Sequence, residues 1–135
     1  MKVLIYIIIS LFVFTAIIFG CNENTLTSNR KVIFPDSLVS YQNHVQPFLN
    51  MNCAYQGCHS AETMAGGRKM TDYFSLFDTY NIGLIFITKP EQSRLVTVMK
   101  NNPPHLGQFY FPEGYFNDNQ INGILTWIKE GAKNN

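Results

Sequence analysis

The chain has 135 residues, of which 46% are hydrophobic, 14% aromatic and 14% charged. That length holds one small domain, and once the apolar first twenty residues are set aside the remainder suffices for a single modest core. Nine acidic residues face ten basic ones, one of which is Lys2. So even a balance excludes a nucleic-acid binder, which needs a basic excess or stripe, and with no polybasic run there is no electrostatic docking onto anionic lipid.

The N-terminus reads as an address. Lys2 supplies one positive charge, residues 3–19 are almost wholly apolar, and Gly20 stands directly before Cys21. A charged start, an apolar stretch and a small residue at the cut predict an export signal over residues 1–20. The Gly20-Cys21 pair resembles a bacterial lipobox, although Phe19 is bulkier than the residue usual there. In such signals the cysteine takes a diacylglycerol on its sulfur and becomes the first residue. The other reading is an uncleaved anchor, but a spanning helix wants about 20 apolar residues and this run is shorter. Lipidation at Cys21 predicts a domain exported and held at the membrane, on the periplasmic side of an outer membrane or at the cell surface. Residues 21–36 are polar and read as a flexible tether, which places the folded domain at 37–135.

Along that domain the pattern is helical. Val45, Phe48, Leu49 and Met51 predict a short helix running into Cys53. Tyr73, Phe74, Leu76, Phe77 and Tyr80 predict a helix over 71–80 with Thr71 as N-cap. Residues 84–88 are the one stretch with a trace of strand character. Pro90 suits the first turn of a helix reaching Met99. Asn117 and Gln120 make a capping-box pair for the last helix. There Ile121, Ile124, Leu125 and Ile128 form one stripe, and Gly131 is the expected C′ residue. The fold class expected is all-α, with about four helices.

The chemistry concentrates between the first two predicted helices. Cys53-Ala54-Tyr55-Gln56-Gly57-Cys58-His59 sets two thiols close together with a histidine directly after the second. Two cysteines followed by histidine can hold a c-type haem, through two thioether bonds and an imidazole on the iron. The usual spacing is C-x-x-C-H; here four residues intervene, so the loop must bulge, and Gly57 allows the positive φ this needs. A small-loop disulfide is a second reading and suits an exported protein. A zinc site joining Cys53, Cys58, His59 and His105 is a third.

The flanks resemble single-haem c-type cytochrome domains of exported proteins in Bacteroidota, Planctomycetes and their relatives. Val45-Gln46-Pro47-Phe48 is similar to the segment that leads into their haem motif. Gly66-Gly67-Arg68-Lys69-Met70-Thr71-Asp72-Tyr73, Lys89-Pro90-Glu91-Gln92-Ser93-Arg94-Leu95-Val96 and Trp127-Ile128-Lys129-Glu130-Gly131-Ala132 follow in the family's order. The resemblance covers residues 38–133. It implies one covalent haem c on Cys53 and Cys58, His59 on the iron, and Trp127 in the haem crevice. The family usually places a Met-Pro pair before the last helix, with that methionine on the far side of the iron. Here Phe111-Pro112 stands in its place, and phenylalanine cannot coordinate. The second axial ligand is then His105, alternatively Met99, or the position is open.

The function this implies is a membrane-anchored electron carrier serving redox partner proteins, not a complete enzyme by itself. Two other classes stand beside it. One is a haem-based small-ligand binder or peroxide-reactive protein with an open sixth position. The other is a haem-free lipoprotein stapled by a Cys53–Cys58 disulfide.

Overall fold

The computed structural model describes residues 32–102, 105 and 111–135. The leader over 1–20, the lipidation residue Cys21 and the tether up to residue 31 lie outside the described residues. Among the described residues the chain is helical and has no strand, in keeping with the all-α expectation, and no helix is long and apolar enough to cross a membrane. Three α-helices carry the structure: α1 (Gln46–Asn52), α2 (Arg94–Met99) and α3 (Asp118–Lys129). Short 3-10 turns fill the ground between α1 and α2.

A π-helical turn, Tyr41–Val45, opens the domain and runs straight into α1. Ser40 caps it, its hydroxyl accepting the Asn43 N–H at 3.1 Å. The widened turn lies just before Pro47, which has no N–H to offer the carbonyl four residues back and whose ring would crowd it. His44 closes the same turn: its Nδ1 accepts the Ser40 N–H at 3.1 Å.

The expected helix over 71–80 is instead two 3-10 turns, Phe74–Phe77 and Thr79–Asn81. The cause is local. Asp72 accepts the Ser75 N–H at 2.9 Å, and the Ser75 hydroxyl donates back to the Asp72 carbonyl at 2.7 Å. Such side-chain bonds compete with the α-ladder, so Asp72, not Thr71, starts the turn. Leu76 is buried while Phe74 stays largely exposed.

The expected helix from Pro90 to Met99 is also divided. A 3-10 turn, Pro90–Gln92, stops at Ser93, whose extended backbone restarts the chain as α2. The first two N–H groups of α2 are taken by the preceding segment: Arg94 donates to Gly83 at 2.9 Å and Leu95 to Leu84 at 3.2 Å. Those groups have no intrahelical partner in any case, and here they pin residues 83–84 in place of a strand. The fully buried Ser93 hydroxyl accepts the Phe86 N–H at 2.8 Å.

The last helix forms as its sequence predicts. Asn117 and Gln120 exchange reciprocal bonds at 3.0 and 3.1 Å. Ile124, Trp127 and Ile128 are buried. Gly131 adopts φ +94°, with Gly131 N–H on Ile128 at 3.0 Å and Ala132 N–H on Trp127 at 2.9 Å, the paired bonds of a Schellman ending.

The domain begins earlier than composition suggests. Residues 32–36, read as tether, are not all free: Phe34 is 2% exposed. Asn119 on α3 clamps the Phe34 backbone from both sides, accepting its N–H at 2.9 Å and donating to its carbonyl at 2.8 Å. The Glu130 carboxylate accepts the N–H groups of Leu38 and Val39 at 2.6 and 2.9 Å. One side chain at the start of α3 and one just past its end thus order a polar-looking segment. Gly123 makes the approach possible, since a β-carbon there would overlap the Phe34 side chain.

Candidate functional site

The loop after α1 is built around its two cysteines. A four-residue turn is closed by Cys58 N–H on the Tyr55 carbonyl at 3.0 Å, with Gly57 in third position at φ +90°. A side chain there would strain the backbone. The His59 N–H then reaches back to the Cys53 carbonyl at 3.0 Å and closes the whole loop. The four intervening residues are thereby absorbed by the bulge that the sequence requires. Both thiols are free and half-buried.

His59 is held in one orientation. Its Nδ1 lies 3.2 Å from the Arg68 carbonyl. A carbonyl can only accept, so Nδ1 carries the proton. The Met70 N–H on the His59 carbonyl at 2.9 Å ties the same strand of chain from the other end. Burial lowers the His59 pKa; the Arg68 carbonyl opposes this and the neighbouring His105 adds to it. A neutral imidazole oriented through Nδ1 is the form that ligates a metal.

Beside this loop lies a cavity of about 360 Å³, within the range of small-molecule and cofactor sites. Cys53, Cys58, His59, Met99 and His105 all line it. These come from the cysteine loop after α1, the end of α2 and the segment beyond it. Leu84, Leu95 and Phe116 supply much of its apolar wall. The His59 and His105 ring centroids are 5.9 Å apart. Two imidazoles on opposite sides of one metal ion, each bonded at about 2 Å, bring their ring centroids to about 6 Å. Phe111 also lines the cavity and packs its ring against His105 at 5.2 Å.

The Cys53 thiol is protonated at neutral pH. Burial, with Cys58 adding, pushes Cys53 up to about 12. Tyr55 is likewise raised to about 12, first by its hydrogen bond with Cys58 and then by burial. Among the described residues no three or more His, Cys, Asp or Glu side chains gather into a shell for a metal ion. The zinc reading of Cys53, Cys58, His59 and His105 therefore has no cluster to stand on.

Trp127 lies elsewhere. It does not line this cavity; it is fully buried, its ring 5.8 Å from Tyr41 and its Nε1–H donating to the Lys133 carbonyl at 2.9 Å. A buried indole N–H needs an acceptor, and the turn after α3 supplies one, which fixes the ring in the core. Two residues with no role assigned from sequence, Arg68 and Arg94, do line the cavity. They lie on segments far apart in the chain, and nothing in periodicity or spacing marks them. Comparison with protein-family models, curated proteins and solved structures finds no match, so the chemistry of this site is what speaks for its function.

Proposed function

We propose that the protein is a membrane-anchored, single-haem c-type cytochrome that passes electrons between redox partner proteins. It is exported and held by lipid on Cys21. The observation that carries the reading is the His59 imidazole, oriented by the Arg68 carbonyl, on a loop whose two cysteines border the same apolar cavity. When bound, the haem supplies reversible one-electron iron chemistry. Cys53 and Cys58 would hold it by thioether bonds, and His59 would be the ligand on one side of the iron. The Arg68 carbonyl keeps that ring in one tautomer and raises its basicity as a ligand. His105 would supply the second ligand in this reading, its ring 5.9 Å from that of His59; Met99 is the alternative donor on the cavity wall. A second imidazole in place of a thioether lowers the reduction potential. The apolar walls exclude water, which disfavours the more highly charged iron state.

Absorption spectra of the full chain, matured with haem-attachment machinery, test this. A covalent haem in alkaline pyridine and a sharp low-spin reduced spectrum are expected. A high-spin spectrum, unchanged by His105→Ala, would favour the open-site ligand binder. No haem where a control cytochrome matures would leave the disulfide-stapled lipoprotein.

A further inference from the structure

The cavity is asymmetric in charge. Arg68 and Arg94 both line it, and among the described residues no aspartate or glutamate does. Among the described residues neither guanidinium makes an ion pair; the two ion pairs are Lys69–Asp72 and Lys129–Glu91. The side-chain bond of Arg68 is a long one, 3.5 Å to Asn81 Oδ1. Asn81 is itself buried and held by the Lys69 and Ser75 carbonyls, both at 2.6 Å, so the side chain that meets Arg68 is fixed. Arg94 is exposed at the start of α2.

A cationic pair without acidic partners beside an apolar hollow is complementary to an amphipathic anion. Guanidinium presents a planar fork of donors that matches carboxylate, and charge-assisted bonds of this kind are about twice as strong as neutral ones. We infer that Arg68 and Arg94 receive the carboxylates of a flat, apolar, carboxylate-bearing ligand. Resting on the function proposed above, that ligand is the haem and the groups received are its propionates. The apolar wall takes the macrocycle, and the two arginines fix which edge faces outward.

The reduction potential of the matured full chain, followed from pH 5 to 8, is the readout. Removing a nearby positive charge favours ferric iron, so Arg68→Leu and Arg94→Leu lower the potential, while Arg68→Lys stays close to wild type. An unpaired propionate also titrates within this range, so the leucine variants gain a pH dependence that the wild type lacks. Lys133→Gln, remote from the cavity lining, is the control for loss of charge alone. Arg94 is exposed, so Arg94→Leu keeps the test open if Arg68→Leu fails to fold. Potentials and pH profiles that match wild type in Arg94→Leu and in every arginine variant that folds would overturn the inference. If the wild type carries no haem at all, the proposed function fails separately. The full chain is then titrated with metal-free mesoporphyrin and with its dimethyl ester. A preference for the free acid that the leucine variants abolish upholds the arginine pair as a carboxylate site. Equal binding of both, or of neither, overturns it.

Discussion

Gly123→Ala is the sharpest test of how this domain is closed. Gly123 is buried in the middle of α3, where glycine costs about 1 kcal/mol relative to alanine. Propensity alone therefore predicts that Gly123→Ala stabilises. The structure predicts the opposite, because the new methyl group would occupy the space of the Phe34 side chain. Phe34 is almost fully buried and stacks edge-on against Phe48 at 5.6 Å. Burial of a phenylalanine is worth roughly 1.5–3 kcal/mol, and its displacement also strains the Asn119 clamp. After the helix gain is subtracted, a net loss of about 1–2 kcal/mol remains, or a fall in Tm of roughly 5–15 °C for a domain of this size. Thermal unfolding followed by far-ultraviolet circular dichroism measures it. The decisive comparison is the cycle with Phe34→Ala: in that background the site is empty, and Gly123→Ala should raise stability by about 1 kcal/mol. A higher Tm for the single Gly123→Ala variant would refute the claim that residues 32–39 belong to the folded body.

Other expectations follow from individual contacts. The Tyr41 hydroxyl is buried without a hydrogen-bond partner among the described residues, so Tyr41→Phe should be neutral or stabilising by about 1 kcal/mol in urea unfolding. Burial, with Asp72 and Tyr73 adding, raises the Tyr41 pKa to about 12. The unfolded chain loses that proton first, so stability is complete below pH 10 and declines as pH rises from 10 towards 12. Tyr41→Phe should flatten this decline. Asn117→Ala removes one side of the capping box and should cost about 1 kcal/mol, seen as a lower urea midpoint with an unchanged slope. Gly57→Ala meets no neighbouring atom but forces a left-handed residue into the attachment loop. It should cost about 1–2 kcal/mol and reduce the yield of covalent haem relative to total protein. His105→Ala should leave the covalent attachment intact and turn a low-spin spectrum high-spin.

Local sequence determined the pieces whose partners lie within a few residues. The capping box at Asn117 and Gln120, the stripe on α3, the Gly131 ending and the Gly57 bulge are all legible, because each is closed by atoms close in the chain. The Cys53–Cys58–His59 loop is legible for the same reason. What failed to read was whatever a distant segment decides. The polar look of residues 21–36 gave no sign that Phe34 is clamped by Asn119. The aromatic periodicity of residues 71–80 was overridden by Asp72 and Ser75, and the helix predicted from Pro90 is divided because Gly83 and Leu84 capture the first N–H groups of α2. Trp127 shares a stripe with core residues, and only the Lys133 carbonyl shows which way its ring is held. The cavity itself belongs to tertiary structure alone: His59, Arg68, the helix α2 that carries Arg94 and Met99, and His105 are separated along the chain, and their shared space exists only once those segments pack.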